Sequence, residues 1–238
     1  DIYDFEIDLV NRPDRPLPSG RISLNHAKTA TAITMISSIL SIALCYWLIS
    51  ESNPVEGFEV SDWYPSLAIW VIALILLINY EFPFGLRLKD KGLPGNISIS
   101  ISVGLVVVFG ASAVFEPFSE KAWSLFFVGI FYNTSREIIK DVQDMEGDKG
   151  RNTLAMRIGS ENARTVAWVM SILALASVLL PFAIGIFPPL HVVLVIPAVM
   201  TLMMVKGRII IGEDAAASSL LKKSMLLCLV ALLTSSLI

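Results

Sequence analysis

Two aspartate triplets in this chain share one spacing. Asp1, Asp4 and Asp8 lie in DIYDFEID, and Asp141, Asp144 and Asp148 lie in DVQDMEGD, each displaced from its counterpart by 140 residues. On a helix, positions i, i+3 and i+7 fall along one face, so each triplet can project three carboxylates into one small volume. Crowded carboxylates repel unless cations join them. Two such clusters facing each other would make a site for hard divalent ions, with coordination positions left for a charged substrate such as a diphosphate. A single D-x-x-D-x-x-x-D reads most simply as the salt-bridged end of an amphipathic helix. The second copy shifts the balance toward a shared site.

Cations accompany both triplets. After the first, NRPDRPLPSGRIS places three prolines and a glycine within eight residues, which ends any helix and makes a fixed loop carrying Arg12, Arg15 and Arg21. Guanidinium groups pair with phosphate oxygens in a fork, so such a loop beside carboxylates suits an anion held jointly by metal and protein. Around the second, Arg136, Lys140, Asp144 and Asp148 recur at spacings of four and so share one helical face. A third basic group, Arg87, Lys89 and Lys91 in GLRLKDKGLPGN, follows Tyr80 and can complete a phosphate pocket. Each of these cations would equally serve to fix membrane topology. Phe109, Phe126, Phe127, Phe131 and Tyr132 can line a channel for an apolar chain, or face lipid and packing neighbours.

The elements that must position these groups are membrane helices. Hydrophobic residues make up 55% of the chain and charged ones 16%, outside the range of ordinary soluble domains. Crossing a hydrocarbon core takes about 20 apolar helical residues. Seven stretches qualify, at 25–49, 64–82, 97–115, 121–138, 162–182, 188–206 and 219–237. Such continuous runs exclude a β-barrel, and the fold class is an all-α polytopic bundle. The loops then divide by charge. One set carries 17 of the 18 basic residues, while the set around 50–63, 115–121 and 183–190 carries only Lys121 beside Glu51, Glu56, Glu59, Asp62, Glu116 and Glu120. By the positive-inside rule both triplets lie on the cytoplasmic side of a multi-pass cell-membrane protein.

Several function classes fall away. A net charge of −3 hides a polarity in which the basic residues sit on one membrane face and the acidic ones are divided between faces, and no nucleic-acid reading survives. Cys45 and Cys228 lie in separate apolar spans with no C-x-x-C pair, so neither a disulfide nor zinc is indicated. His26 and His191 fall on opposite sides of the membrane and cannot share a site. An ion-coupled transporter would carry its acids near the midplane, and none of the seven spans has a central Asp or Glu. CDP-alcohol phosphotransferases need D-x-x-D-G, whereas Asp144 is followed by Met145. Residues 1–238 read as a single domain with no obligate protein partner evident, and opening on Asp1 inside a motif leads us to expect further chain upstream.

What remains is chemistry on an apolar diphosphate. An allylic diphosphate bound through magnesium is a better leaving group, because metal and cations neutralise charge as the carbon–oxygen bond breaks. The allyl cation must be kept from water, and an apolar bundle supplies that dry chamber.

These motifs resemble those of the UbiA superfamily of intramembrane prenyltransferases, N-D-x-x-D-x-x-x-D and D-x-x-D-x-x-x-D. The likeness covers essentially the whole chain: DIYDFEID lacks only the initial Asn, and DVQDMEGD fits completely. The resemblance implies a nine-helix bundle around a central cavity, of which this chain would lack the first helix and most of the second. Within the superfamily, LVNRPDRPLPSGRIS and REIIKDVQDMEGDKGRNTL look most like archaeal digeranylgeranylglyceryl phosphate synthases, which transfer a geranylgeranyl group from its diphosphate to geranylgeranylglyceryl phosphate. Aromatic and chlorophyll-type prenyltransferases share the motifs and are the alternative. Carried over residue by residue, the resemblance implies Asp4, Asp144 and Asp148 as the principal Mg2+ ligands, with Asp1, Asp8 and Asp141 as further ligands or their partners. It implies Arg15, Lys89, Arg136 and Lys140 for diphosphate or phosphate contacts, and Tyr132 and Asn133 near the allylic carbon. Phe109 before Gly110 stands where the family usually carries Tyr.

Overall fold

The computed structural model describes residues 2–52 and 59–238. Its α-helices are α1 (Phe5–Asn11), α2 (Leu24–Ser52), α3 (Tyr64–Glu81), α4 (Leu93–Ala113), α5 (Glu120–Gln143), α6 (Leu154–Ile158), α7 (Ser160–Ala183), α8 (Ile196–Ile210) and α9 (Asp214–Leu237). Short 3-10 turns at Val60–Trp63, Leu88–Asp90 and Pro189–Val195 join them, and there are no strands among the described residues. Prolines mark the starts of the long helices. Pro65, Pro94 and Pro197 occupy the first turns of α3, α4 and α8, where the missing amide hydrogen would have had no partner in any case.

Six helical segments of the described chain are long and apolar enough to cross a membrane, one fewer than the sequence leads one to expect. The exception is α5. Its length suffices, but Arg136, Glu137, Lys140 and Asp141 fill its last two turns and Glu120 and Lys121 its first. The physical reason lies in its position. α5 is the central helix, packed against α4, α7 and α9, so its polar side chains find partners inside the protein instead of facing lipid.

Small residues let these helices approach closely. A Cβ on Gly104 of α4 would lie 2.7 Å from the Phe126 ring of α5, so the α4–α5 contact requires glycine there. Hydroxyl pairs reinforce the same interfaces: Ser66 with Ser112 at 2.8 Å (α3–α4), Ser135 with Ser171 at 2.9 Å (α5–α7), and Tyr132 with Ser224 at 2.8 Å (α5–α9). Ser224 in turn donates to the Ala198 carbonyl, tying α8 to α9. Around this interior Ile138, Ile139, Leu202, Leu221 and Leu232 are fully buried.

By contrast α2 stands at the edge. Its apolar side chains, among them Ile33, Ile36, Leu40 and Trp47, remain exposed on all sides, the pattern of a helix bathed in hydrocarbon. Trp70 of α3 donates to Ser38 across 2.9 Å, and the Tyr46 and Trp63 rings meet at 6.2 Å. Cys45 is exposed on α2 and Cys228 is buried in α9, so the two thiols are separate. Of the five aromatics, Phe127 and Phe131 share an apolar cleft with Trp123, and the others face separate surroundings. Phe126 packs in a small core with Leu105 and Val108, Phe127 is half exposed, and Phe109 faces a shallow cleft with Ile69 and Trp70.

Candidate active site

The chain runs α1, a proline loop and α2 at one end of the bundle, and returns to that same end at the α3–α4 turn and after α5. Both acidic motifs therefore meet although 140 residues separate them. Asp4 caps the start of α1 and Asp8 lies within it, whereas Asp141 sits in the last turn of α5, Asp144 caps its end and Asp148 follows in the turn beyond. Neither triplet is a continuous helical face. Asp1 falls outside the described residues.

These carboxylates line a polar cavity of about 230 Å3, together with Ile7, Asn11, Arg15, Tyr80, Glu81, Lys89, Glu137, Lys140, Arg151 and Thr153. Of the residues singled out from sequence, Asp4, Asp8, Asp141, Asp144, Asp148, Arg15, Lys89 and Lys140 come together here. Arg136 does not line the cavity; it pairs with Glu137 at 3.0 Å, and its buried Nε has no hydrogen-bond partner. Tyr132 and Asn133 also lie elsewhere. The Tyr132 hydroxyl is engaged by Ser224, and the Asn133 amide donates to Ser100 Oγ at 3.2 Å, two turns deeper along α5 than Asp141.

Each acidic cluster is neutralised by cations. Arg15 Nη1 reaches both oxygens of Asp8 at 2.8 and 2.7 Å, and Arg12 Nη2 reaches both oxygens of Asp144 at 2.9 and 3.1 Å. The proline loop thus sends one arginine to each motif, while Arg21 folds back onto Ser19 and the Asp14 carbonyl. Lys89, with 4% of its side chain exposed, bridges Asp4 at 2.7 Å and Glu81 at 2.9 Å. Lys140 and Arg136 both turn to Glu137 between them, so the four-residue spacing does not pair them with Asp144.

Arg151 counts in the sequence only among the basic residues that set orientation, not among the site residues. Its guanidinium contacts Asp90 at 2.7 Å and Asp148 at 3.1 Å and lies 3.9 Å from Asp4, so three segments converge on it. Burial opposes its charge, but the bonds to Asp90 and the nearby Asp4 and Asp148 raise its pKa further above the ordinary range. Asn11, Glu81, Asp90, Asn96 and Glu137 were missed as well. The adjacent opposite charges of Lys89-Asp90 were the available signal: in a 3-10 turn they point to Asp4 and Arg151 respectively.

The electrostatics differ between clusters. Burial raises Asp4, yet the Lys89 hydrogen bond and charge, with Arg151, bring it below the usual carboxylate value. Burial also raises Asp148, and Arg151 does not fully offset it with Asp144 and Asp4 nearby. Asp141, beyond the apolar part of α5, is pushed up to about 7 by burial, which the Asn96 bond at 3.0 Å and the Lys140 charge only partly oppose, with Asp148 and Glu137 adding to the rise.

Among the described residues no three carboxylate, histidine or cysteine groups converge at metal-binding distances. The side chains point instead to their cationic partners. The donor set nonetheless fits a hard divalent ion: seven carboxylates, five of Asp with Glu81 and Glu137, line one cavity, with neither thiolate nor imidazole among them. The two-sided cationic frame suits a polyanion in the same space.

A model of the UbiA prenyltransferase family matches residues 1–230. The digeranylgeranylglyceryl phosphate synthase of Methanopyrus kandleri is 33% identical, with 99% of this chain and 80% of that protein covered. Its counterpart in Methanosarcina mazei is 32% identical, covering 97% and 74%. A solved structure described as that of a digeranylgeranylglyceryl phosphate synthase in membranes superposes with a TM-score of 0.67 at 29% identity, covering 99% of this chain and 78% of that one. The chain is a multi-pass membrane prenyltransferase and belongs to the UbiA prenyltransferase family.

Proposed function

We propose that this enzyme transfers a geranylgeranyl group from geranylgeranyl diphosphate to the free hydroxyl of geranylgeranylglyceryl phosphate, releasing diphosphate, in the manner of archaeal ether-lipid synthesis. The observation that carries the reading is the convergence of both acidic motifs and their cations on one cavity, in a chain similar over most of its length to digeranylgeranylglyceryl phosphate synthases. Asp4, Asp8, Asp144 and Asp148, with Asp141 behind them, would hold Mg2+. When bound, Mg2+ would supply charge neutralisation to the departing diphosphate.

The chain's own residues do the rest. Lys89, Arg15, Arg151 and Lys140 surround the space between the motifs and orient the diphosphate oxygens as negative charge builds on them. The loss of the diphosphate leaves an allyl cation, which the acceptor hydroxyl attacks to form the ether bond with release of its proton. Tyr132 and Asn133 lie about two turns deeper on α5 than Asp141, where the allylic carbon would follow its diphosphate into the bundle. We place the site on the cytoplasmic side, because 17 of 18 basic residues fall at the carboxylate end. A second phosphate on the acceptor gives use to cations beyond those one diphosphate needs.

The test is a competition assay on full-length enzyme with geranylgeranyl diphosphate, offering geranylgeranylglyceryl phosphate, its dephosphorylated form, 4-hydroxybenzoate and dihydroxynaphthoate, with and without EDTA. The phosphorylated lipid should react preferentially and chelation should stop turnover. Preferential prenylation of an aromatic acid would overturn the acceptor assignment, and an unchanged rate in EDTA would overturn the metal.

A further inference from the structure

Asn11 joins the two motifs through main-chain atoms alone. Its Nδ2 donates to the Asp144 carbonyl at 2.9 Å, and its Oδ1 accepts the Gly147 amide hydrogen at 2.9 Å, across 133 and 136 residues of sequence. One amide side chain thereby closes both ends of the turn that follows α5, and it lines the cavity while doing so. The next residue, Arg12, holds the Asp144 carboxylate.

The space at Gly147 shows how close this contact is. A Cβ there would overlap the Oδ1, Cγ and Nδ2 atoms of Asn11, the last at 2.6 Å. Its backbone φ is not in the left-handed region, so conformational freedom does not explain the glycine. What requires glycine is the close approach of Asn11.

We propose that Asn11 and Gly147 form a neutral clasp that sets the separation of the two carboxylate clusters, making Asn11 a positioning residue for divalent-ion binding, an inference that rests on the metal site proposed above. The carboxylates around it give up their side-chain cations when metal and substrate take their place. Arg12 and Arg15 are then partners in transit, whereas two hydrogen bonds between uncharged groups are unaffected by that exchange. The clasp is the connection between motifs that persists as the ion pairs are rearranged.

The experiment compares full-length wild type, Asn11→Ala, Asn11→Ser, Gly147→Ala and the Asn11→Ala/Gly147→Ala double variant. Mn2+ binding is read from the loss of the free-ion EPR signal in the presence of inorganic diphosphate, beside steady-state kinetics at varied Mg2+. Each single change should raise the half-saturating metal concentration by about tenfold, the scale of one or two lost neutral hydrogen bonds. At saturating Mg2+, kcat should fall less than about threefold, and the double variant should bind metal no worse than Gly147→Ala alone, because both remove one device. Asn11→Ser, which adds little strain, keeps the test sound if Gly147→Ala fails to fold.

Unchanged metal half-saturation in Asn11→Ala and Asn11→Ser would overturn the clasp. So would a raised KM for the prenyl diphosphate with metal binding unaltered, which would put Asn11 on the diphosphate itself. Additive losses in the double variant would separate the two residues and overturn it too. Failure of wild type to bind Mn2+ would instead remove the metal reading beneath it, and the clasp's role with it.

Discussion

The first acidic cluster and the second have the same residue spacing and opposite settings. DIYDFEID begins a short helix at the bundle's edge, and its Asp4 is drawn below the ordinary carboxylate range because Lys89 and Arg151 outweigh the effect of burial. DVQDMEGD ends the central helix, and there burial prevails: Asp148 is raised and Asp141 reaches about 7. Identical spacing thus fixes which side chains can be neighbours, while the surrounding segments decide how each carries its charge. The first cluster has its cations supplied by the protein. The second has cations on Asp144 and Asp148 but only the neutral Asn96 amide on Asp141, and a divalent ion would supply the positive charge missing there.

The largest expected effect comes from deleting one carboxylate on each side. Asp4→Ala and Asp148→Ala should each lower prenyl transfer at saturating Mg2+ by at least about a hundredfold, the scale of removing a group that stabilises developing charge. Initial-rate assays on folded, full-length variants check this. Near-normal turnover in Asp4→Ala with a dead Asp148→Ala would break the comparison and leave one working cluster.

Lys89→Met is expected to come next. It leaves Asp4 and Glu81 without their shared cation, so the fold should lose about 1–3 kcal/mol, since both carboxylates keep some solvent access. Thermal unfolding in detergent reads that loss, and turnover should fall by more than about tenfold. A variant as stable as wild type would mean that the first cluster does not depend on its internal cation.

Arg87→Ala should do least. Arg87 pairs with Asp90 at 2.9 Å but is 46% exposed, and exposed pairs contribute about 0–1 kcal/mol. Turnover within twofold of wild type would sharpen the boundary between site cations and loop cations. A large loss would extend the site outward along the 87–90 turn.

The bundle was legible in the sequence because apolar runs of sufficient length have few alternatives. α5 marks where that logic stops: hydropathy reads a helix against lipid, and a helix surrounded by other helices can carry Arg136 and Lys140. The site was legible where charge types repeat, as in the two triplets, or sit beside helix breakers, as with Arg15 and Lys89. Arg151 and Asn11 escaped because their partners are 61 and 133 residues away and neither lies in a pattern of its own. Tyr132 was placed near the allylic carbon by likeness alone. Its hydroxyl is turned to Ser224, an orientation set by the α5–α9 contact, which local sequence does not encode.

The central claim is that both clusters hold one metal–diphosphate unit. The direct measurement is a structure of the full-length enzyme with Mn2+ and a non-hydrolysable geranylgeranyl thiodiphosphate, with the ions located by anomalous scattering. The account predicts Mn2+ in the cavity between α1 and the end of α5, ligated on one side by Asp4 or Asp8 and on the other by Asp144 or Asp148, with Lys89 and Arg151 turned toward the diphosphate. Ions bound to one cluster alone, or a diphosphate seated away from both, would contradict it.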